Sequence, residues 1–177
     1  MKYFCITLLV LATSMFLVKQ PAKGYSANRS CTNAKSIIID FLRKVYGTQD
    51  DALKVAHQYI KLDDSPDLVN ELSIDKRYEI AAENITLLRE GKGISSFSPP
   101  LNKEELAALQ VVPYASLVSV AGIKLLDFGL GNIERKNLYV ALKGNAIWKY
   151  FYVKENRIYS FDYILKGDGG PAYLFSY

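Results

Sequence analysis

The chain has 177 residues, half of them hydrophobic, with 22 Lys and Arg against 18 Asp and Glu, a formal net charge of +4. That length suits one ordinary domain whose core needs no staples, and so small a charge lacks the basic stripe that nucleic-acid binding requires. The one histidine excludes every multi-histidine metal site.

In chain order, the first element is a leader. Lys2 is a short basic region, Tyr3 to Val18 is an apolar run broken only by Thr7, Thr13 and Ser14, and Ala22 and Gly24 have the small-residue spacing of a cleavage site. The run is shorter than the ~20 apolar residues that span a bilayer, so residues 1–24 are expected to be a secretory signal peptide cleaved after Gly24, with Ala27 the second choice. An uncleaved anchor is the alternative. The product would be secreted or periplasmic, with a flexible N-terminus over 25–32 and a single α+β domain over 33–177. Three of the 22 bases, Lys2, Lys19 and Lys23, leave with the leader, and the remaining 19 face 18 acids, a net charge of +1. Of the two cysteines, Cys5 is in the leader and Cys31 is alone in the mature chain, which excludes an intrachain disulfide. Asn28-Arg-Ser and Asn84-Ile-Thr match the glycosylation sequon.

Helices come next. Ile37, Ile38, Phe41, Leu42 and Val45 recur at helical spacing over 33–46, with Gly47 as the stop. A second helix is expected from Asp50-Asp51, its inner face Leu53, Ala56, His57 and Ile60. Ser65-Pro66-Asp67 signals a third start, and the pattern then runs to Glu90 with a break near Ser73. Its inner face is Tyr78, Ala81, Ala82, Ile85 and Leu88, and Gly91 and Gly93 end it. Residues 91–101 form a loop. Asn102 and Glu105 make a capping box for a short helix to Gln110. Strand character is expected from Leu117 to Phe128, and Asp127–Asn132 reads as a glycine-bearing turn or bulge. Residues 50–105 carry 12 acids and 7 bases, so the helical half is acidic.

The last element is the most informative. Residues 137–165 read NLYVALKGNAIWKYFYVKENRIYSFDYIL, three apolar-aromatic runs separated by Gly144-Asn145 and Glu155-Asn156, both suited to two-residue hairpin turns. Helices first and a meander last is an α+β pattern with an antiparallel sheet in the C-terminal half. Tight turns would pair Leu142 with Ile147 and Val153 with Ile158, and would continue in step to Tyr139–Tyr150 and Trp148–Tyr163. Side chains alternate, so one face would hold Tyr139, Trp148, Tyr150, Tyr152, Tyr159, Phe161 and Tyr163. The other would hold Leu138, Val140, Leu142, Ile147, Phe151, Val153, Ile158 and Ile164, with Lys149, Ser160 and Asp162 among them. Neither face reads as solvated, so both need a cover. The aromatic face is either half exposed or the binding surface for a ligand, a partner or a second copy of the chain. Lys149 and Asp162 form either a partly exposed ion pair or a sealed pair with shifted acidities.

The order of elements over residues 33–165, closing on NLYVALKGNAIWKYFYVKENRIYSFDYI, resembles the nuclear transport factor two-like superfamily of cone-shaped α+β domains. The acidic insertion at 65–90 and the 91–101 loop exceed what that small fold needs. The resemblance implies a small isomerase or dehydratase, or a non-catalytic ligand-binding or dimerising module. In such enzymes a cavity carboxylate works with Tyr or His, here Asp162, His57 and Tyr78. Three functions are therefore in play. The first is a non-catalytic binding or interaction module using the aromatic face, possible as a homodimer or with a protein or small-molecule partner. The second is a cavity enzyme with Asp162 as acid or base and His57 facing it. The third is an inhibitor or immunity-type protein docking through its acidic helical half. No motif calls for a cofactor or a metal: Gly129-Leu-Gly131 is too short for a nucleotide loop, and Asp63, Asp64 and Asp67 lack calcium-loop spacing.

Overall fold

The computed structural model describes residues 25–48, 50–65, 71–93, 98–165 and 170–177. The expected leader, and most of the Ser65-Pro66-Asp67 helix start, lie outside the described residues. Helix α1 spans Tyr25–Gly47. It begins eight residues before the expected start. Its buried stripe is Ala34, Ile38, Phe41, Leu42 and Val45, one face of a 3.6-residue period.

Helix α2 spans Ala52–Tyr59, and the Asp51 carboxylate caps it by accepting from the Leu53 N–H at 2.9 Å. It buries Val55, Ala56 and Tyr59 rather than the expected Leu53 and His57, which are exposed. Tyr59 accounts for the difference. Its hydroxyl donates to Asp40 Oδ2 at 2.5 Å and its ring meets the edge of Phe41 at 5.7 Å, which turns the helix toward α1. Ile60 has already left the helix for extended backbone, and Lys61 N–H donates to Ile158 O on the sheet edge at 2.9 Å.

Helix α3 spans Ile74–Arg89 under a Ser73 cap and buries Arg77, Ala81, Ala82, Asn84, Ile85 and Leu88. Tyr78 is only half buried. Gly91 at φ 74 ends the helix, with its N–H on Leu88 O and the Lys92 N–H on Leu87 O, the paired bonds of a Schellman stop. Helix α4, Lys103–Ala108, has the expected capping box, with Asn102 and Glu105 bonding reciprocally.

Strand β1 is Gln110–Pro113, and Tyr114–Ser116 forms a single 3-10 turn. The strand expected over 117–128 is irregular backbone instead. The segment gives up ladder bonding and lays Leu117, Ile123, Leu125, Leu126 and Phe128 on the sheet as a cover. The Asp127 carboxylate accepts from Gly129 N–H at 3.0 Å, and Gly129 has φ 61, the expected turn. A four-residue helix, α5, spans Asn132–Arg135. Strands β2 (Leu138–Lys143), β3 (Ala146–Lys154) and β4 (Arg157–Ser160) then complete a four-stranded antiparallel sheet in the order β1-β2-β3-β4. The fold is α+β, as expected.

Both hairpin turns form where the sequence placed them, with Gly144, Glu155 and Asn156 at positive φ. The pairs beside the turns, Leu142–Ile147 and Val153–Ile158, also form. One step on, each hairpin contains a bulge. Trp148 is the extra residue in one, so Ala141 pairs with Lys149 and Tyr139 with Phe151. Tyr159 is the extra residue in the other, so Tyr152 pairs with Ser160. A one-residue insertion inverts every side chain beyond it. The third run also breaks at Phe161-Asp162, and β5 (Tyr163–Leu165) pairs with β6 (Ala172–Leu174) in a separate two-stranded sheet.

The faces therefore differ from those a continuous register gives. Tyr139, Ala141, Phe151, Val153 and Ile158 pack with the helices. Leu138, Val140, Leu142 and Tyr150 form a second cluster with Tyr114, Leu117, Phe128 and Ala172. All of Leu138–Leu142 is buried, so both faces of the central strand are covered by the chain itself.

Candidate functional site

The seven aromatic residues expected on one face are distributed over three environments. Tyr139, Trp148 and Phe161 belong to the helix-side core. The Trp148 indole donates to Pro99 O at 3.1 Å, Ser98 Oγ donates to Trp148 O at 3.2 Å, and the Tyr46 ring stands at 6.2 Å. Phe161 packs against Phe41 at 5.4 Å. Tyr150 and Tyr163 are on the opposite side, edge to face with each other at 5.8 Å and with Phe128 at 5.0 and 5.8 Å. The Tyr150 hydroxyl accepts from Leu126 N–H at 3.1 Å, which pins the covering segment.

Tyr152 and Tyr159 remain half exposed and meet edge to face at 6.1 Å. Together with Tyr173, Phe128, Leu130 and Leu174 they line a cleft of about 410 Å³ between β3–β4 and the small second sheet. Its polar lining includes Asp63, Glu134, Ser160 and Ser176. The Lys154 ammonium stands 5.8 Å over the Tyr159 ring, a cation–π distance. An unbroken register would have placed Tyr152 directly across from Tyr159; the bulge pairs Tyr152 with Ser160 instead, and the two rings still meet. Tyr173, 46% exposed, was missed from the sequence because it follows the hairpins in a stretch with no strand period of its own. Two other cavities lie on α1, one of about 540 Å³ with Tyr46, Leu101 and Leu106, and one of about 450 Å³ with Lys35, Asp40 and Tyr59.

Lys149 and Asp162 do meet, and the sealed reading is the one the structure takes. Lys149 Nζ is 3.8 Å from Asp162 Oδ1, and the two side chains are 1% and 3% exposed. Asp162 Oδ1 accepts from Tyr163 N–H at 2.9 Å, and the Ser160 hydroxyl donates to the Asp162 main-chain oxygen at 2.7 Å. Burial pushes the Lys149 ammonium below its ordinary acidity range, and the Asp162 charge opposes that push. His57 stands elsewhere, exposed on α2 with its ring 3.9 Å from Tyr78. The pocket expected to contain Asp162 and His57 together is replaced by a buried ion pair and a surface stack. The Asn84 sequon also proves to be interior: Asn84 is buried, and its amide donates to the Tyr177 hydroxyl at 3.4 Å.

Burial raises the phenols of Tyr46, Tyr59, Tyr114, Tyr150, Tyr159 and Tyr177 above their usual range, Tyr59 to about 12 with help from Asp40. A raised folded-state pKa contributes stability that is complete below about pH 10, the unfolded value, and is lost as pH climbs through the folded one. Lys149 has the opposite sign: its depressed folded pKa imposes a cost that is relieved as pH rises toward about 10.5. Six phenols outweigh one ammonium, so the urea midpoint should be lower at pH 11 than at pH 9. An equal midpoint would contradict the burial of these phenols.

Among the described residues no group of three or more His, Cys, Asp or Glu is placed to hold a metal, and no helix is long and apolar enough to cross a membrane. No family model, no curated protein and no solved structure matches the chain.

Proposed function

We propose that the protein is an exported, non-catalytic binding module, secreted or periplasmic, that takes a small ring compound such as a neutral sugar in the Tyr152–Tyr159–Tyr173 cleft. The carrying observation is the cleft itself: tyrosine rings edge to face over about 410 Å³, with carboxylates and serine hydroxyls beside them. Tyrosine faces cover the apolar face of a sugar ring, and the polar groups answer its hydroxyls. The likeness to the nuclear transport factor two-like superfamily is part of the same proposal, supported by helices preceding an antiparallel sheet.

Self-association through a broad aromatic face has less support, because five of the seven residues are packed within the chain. An acid–base role for Asp162 and His57 would need them in one accessible pocket, and Asp162 is 3% exposed while His57 is on the surface.

The test is an NMR titration of the full chain with a panel of neutral oligosaccharides. Shifts are expected at Tyr152, Tyr159 and Tyr173, and Tyr159→Ala should weaken the best binder about tenfold, the equivalent of about 1.4 kcal/mol. Millimolar saccharides that leave these tyrosines unmoved would sink the proposal.

A further inference from the structure

Arg77, Asn84, Lys149, Ser160 and Asp162 are nearly fully buried, and three of them act on one residue, Tyr177. Arg77 Nη2 donates to the Tyr177 main-chain oxygen at 2.6 Å, and Asp63 N–H donates to the same oxygen at 2.7 Å. At the other end of the residue the Asn84 amide donates to the hydroxyl at 3.4 Å, and the Asp162 charge reaches the same phenol. Between them the Phe161 ring stacks on the Tyr177 ring at 5.5 Å and 24°. Arg77 and Asn84 are seven residues apart on α3, two turns along one face, so the helix presents a cation to one end of a tyrosine and an amide to the other.

Packing alone does not ask for this. Buried charges and amides are costly, and apolar residues of similar volume commonly hold a fold as well. What the polar lining adds is a choice of occupant. Two further observations point to a ligand. Arg77 Nε is buried without a hydrogen-bond partner. Beside the ring is a cavity of about 140 Å³ lined by Leu72, Arg77, Ile80, Phe175, Ser176 and Tyr177, and engineered apolar cavities of about that size hold a benzene ring. Residues 175–177 have no regular structure, and Phe175 N–H to Asp162 O, at 3.0 Å, is the main-chain bond that precedes the Tyr177 clamp.

We propose that this slot is a binding site for small phenolic acids, a para-hydroxyphenyl group carrying a carboxylate on a short chain, with Tyr177 as its resident occupant. Arg77 takes the carboxylate, Asn84 takes the phenol and Phe161 stacks the ring. A free ligand enters by displacing residues 175–177. The site is separate from the tyrosine cleft and stands whether or not that cleft binds sugar.

The probe is 3-(4-hydroxyphenyl)propionate, measured by calorimetry and thermal melting on the full chain. A site mostly filled by its own plug shows an affinity reduced by the fraction of time it is open. Tyr177→Gly should therefore bind at least about 100-fold more tightly than the wild type. Tyr177→Phe keeps the stacked ring but loses the Asn84 bond, and should fall between them. Adding Arg77→Gln to Tyr177→Gly should weaken the acid at least about tenfold and leave para-cresol binding unchanged. If Tyr177→Gly is unfolded alone, the probe must restore its cooperative melt. A folded Tyr177→Gly that ignores the probe, an unfolded one that the probe does not rescue, binding indifferent to Arg77→Gln, or a Tyr177→Phe variant no tighter than wild type would each overturn the proposal.

Discussion

Replacing Asp162 by alanine is expected to cost about 3–5 kcal/mol of folding stability, because it leaves the Lys149 ammonium in the interior without its counter-charge. The two groups are 3.8 Å apart and almost wholly sealed, so water cannot take over the role of the lost carboxylate. The loss should depend on pH with a definite sign. Lys149 is already depressed in the folded state, and removing Asp162 removes a charge that raises it. The variant should therefore recover stability as pH rises from neutrality toward about 10.5, when the unfolded chain also gives up its proton. The double change Lys149→Met with Asp162→Asn should recover most of the loss at pH 7. It removes the charge while the amide oxygen still accepts from the Tyr163 N–H. Urea denaturation of the wild type and the two variants at pH 7 and pH 9.5 separates these outcomes. A single-variant cost under about 1 kcal/mol would mean that the pair is solvated.

Phe41→Ala is expected to cost a similar 3–5 kcal/mol, by a different route. Phe41 is fully buried, and its ring touches Tyr59 at 5.7 Å, Phe161 at 5.4 Å and Phe151 at 6.4 Å. Its ring contacts join α1 to α2, the sheet and the break after β4. Alanine leaves a cavity that three rings from three elements cannot all close at once, and close-packed interiors relax only in part. Against the 5–15 kcal/mol typical of a folded domain, the change removes a large share. The urea midpoint should fall with the m-value unchanged. Phe41→Leu, which fills most of the volume, should cost clearly less. Equal costs for Leu and Ala would show that aromatic contact rather than volume sets the energy.

Much of the fold was legible because its signals are local. The caps at Asp51 and Asn102, the stop at Gly91 and the turns at Gly144-Asn145 and Glu155-Asn156 each depend on a few adjacent residues, and all five form. The errors share a cause as well. The inner face of α2 was assigned by period alone, but a two-turn helix is too short for period to outweigh Tyr59 reaching Asp40. Residues 117–128 had the composition of a strand, yet their apolar side chains are satisfied by lying on a sheet as well as by joining one. Of the seven aromatic residues named as a surface, only Tyr152 and Tyr159 line the cleft, and the other five are packed in or against the core. Tyr173, Arg77 and Tyr177 gave no local signal, and the sequon at Asn84 gave none of its interior contact, because these contacts depend on partners up to 100 positions away.

By itself the sequence determined that the chain is α+β, that its C-terminal strands are apolar on both faces, and that both faces must be covered. Alternation and composition suffice for that. Only the tertiary structure decided what covers them, helices α1–α3 on one side and residues 114–130 with the β5–β6 sheet on the other. Only the tertiary structure could place the bulges at Trp148 and Tyr159. A bulge preserves the turn chemistry and the composition of both strands, so nothing local distinguishes a bulged register from a continuous one. The choice rests on which side chains fit against the rest of the chain, and it inverts every residue beyond it. In this protein the tertiary packing seals Lys149 beside Asp162 and leaves Tyr152 and Tyr159 in an open cleft.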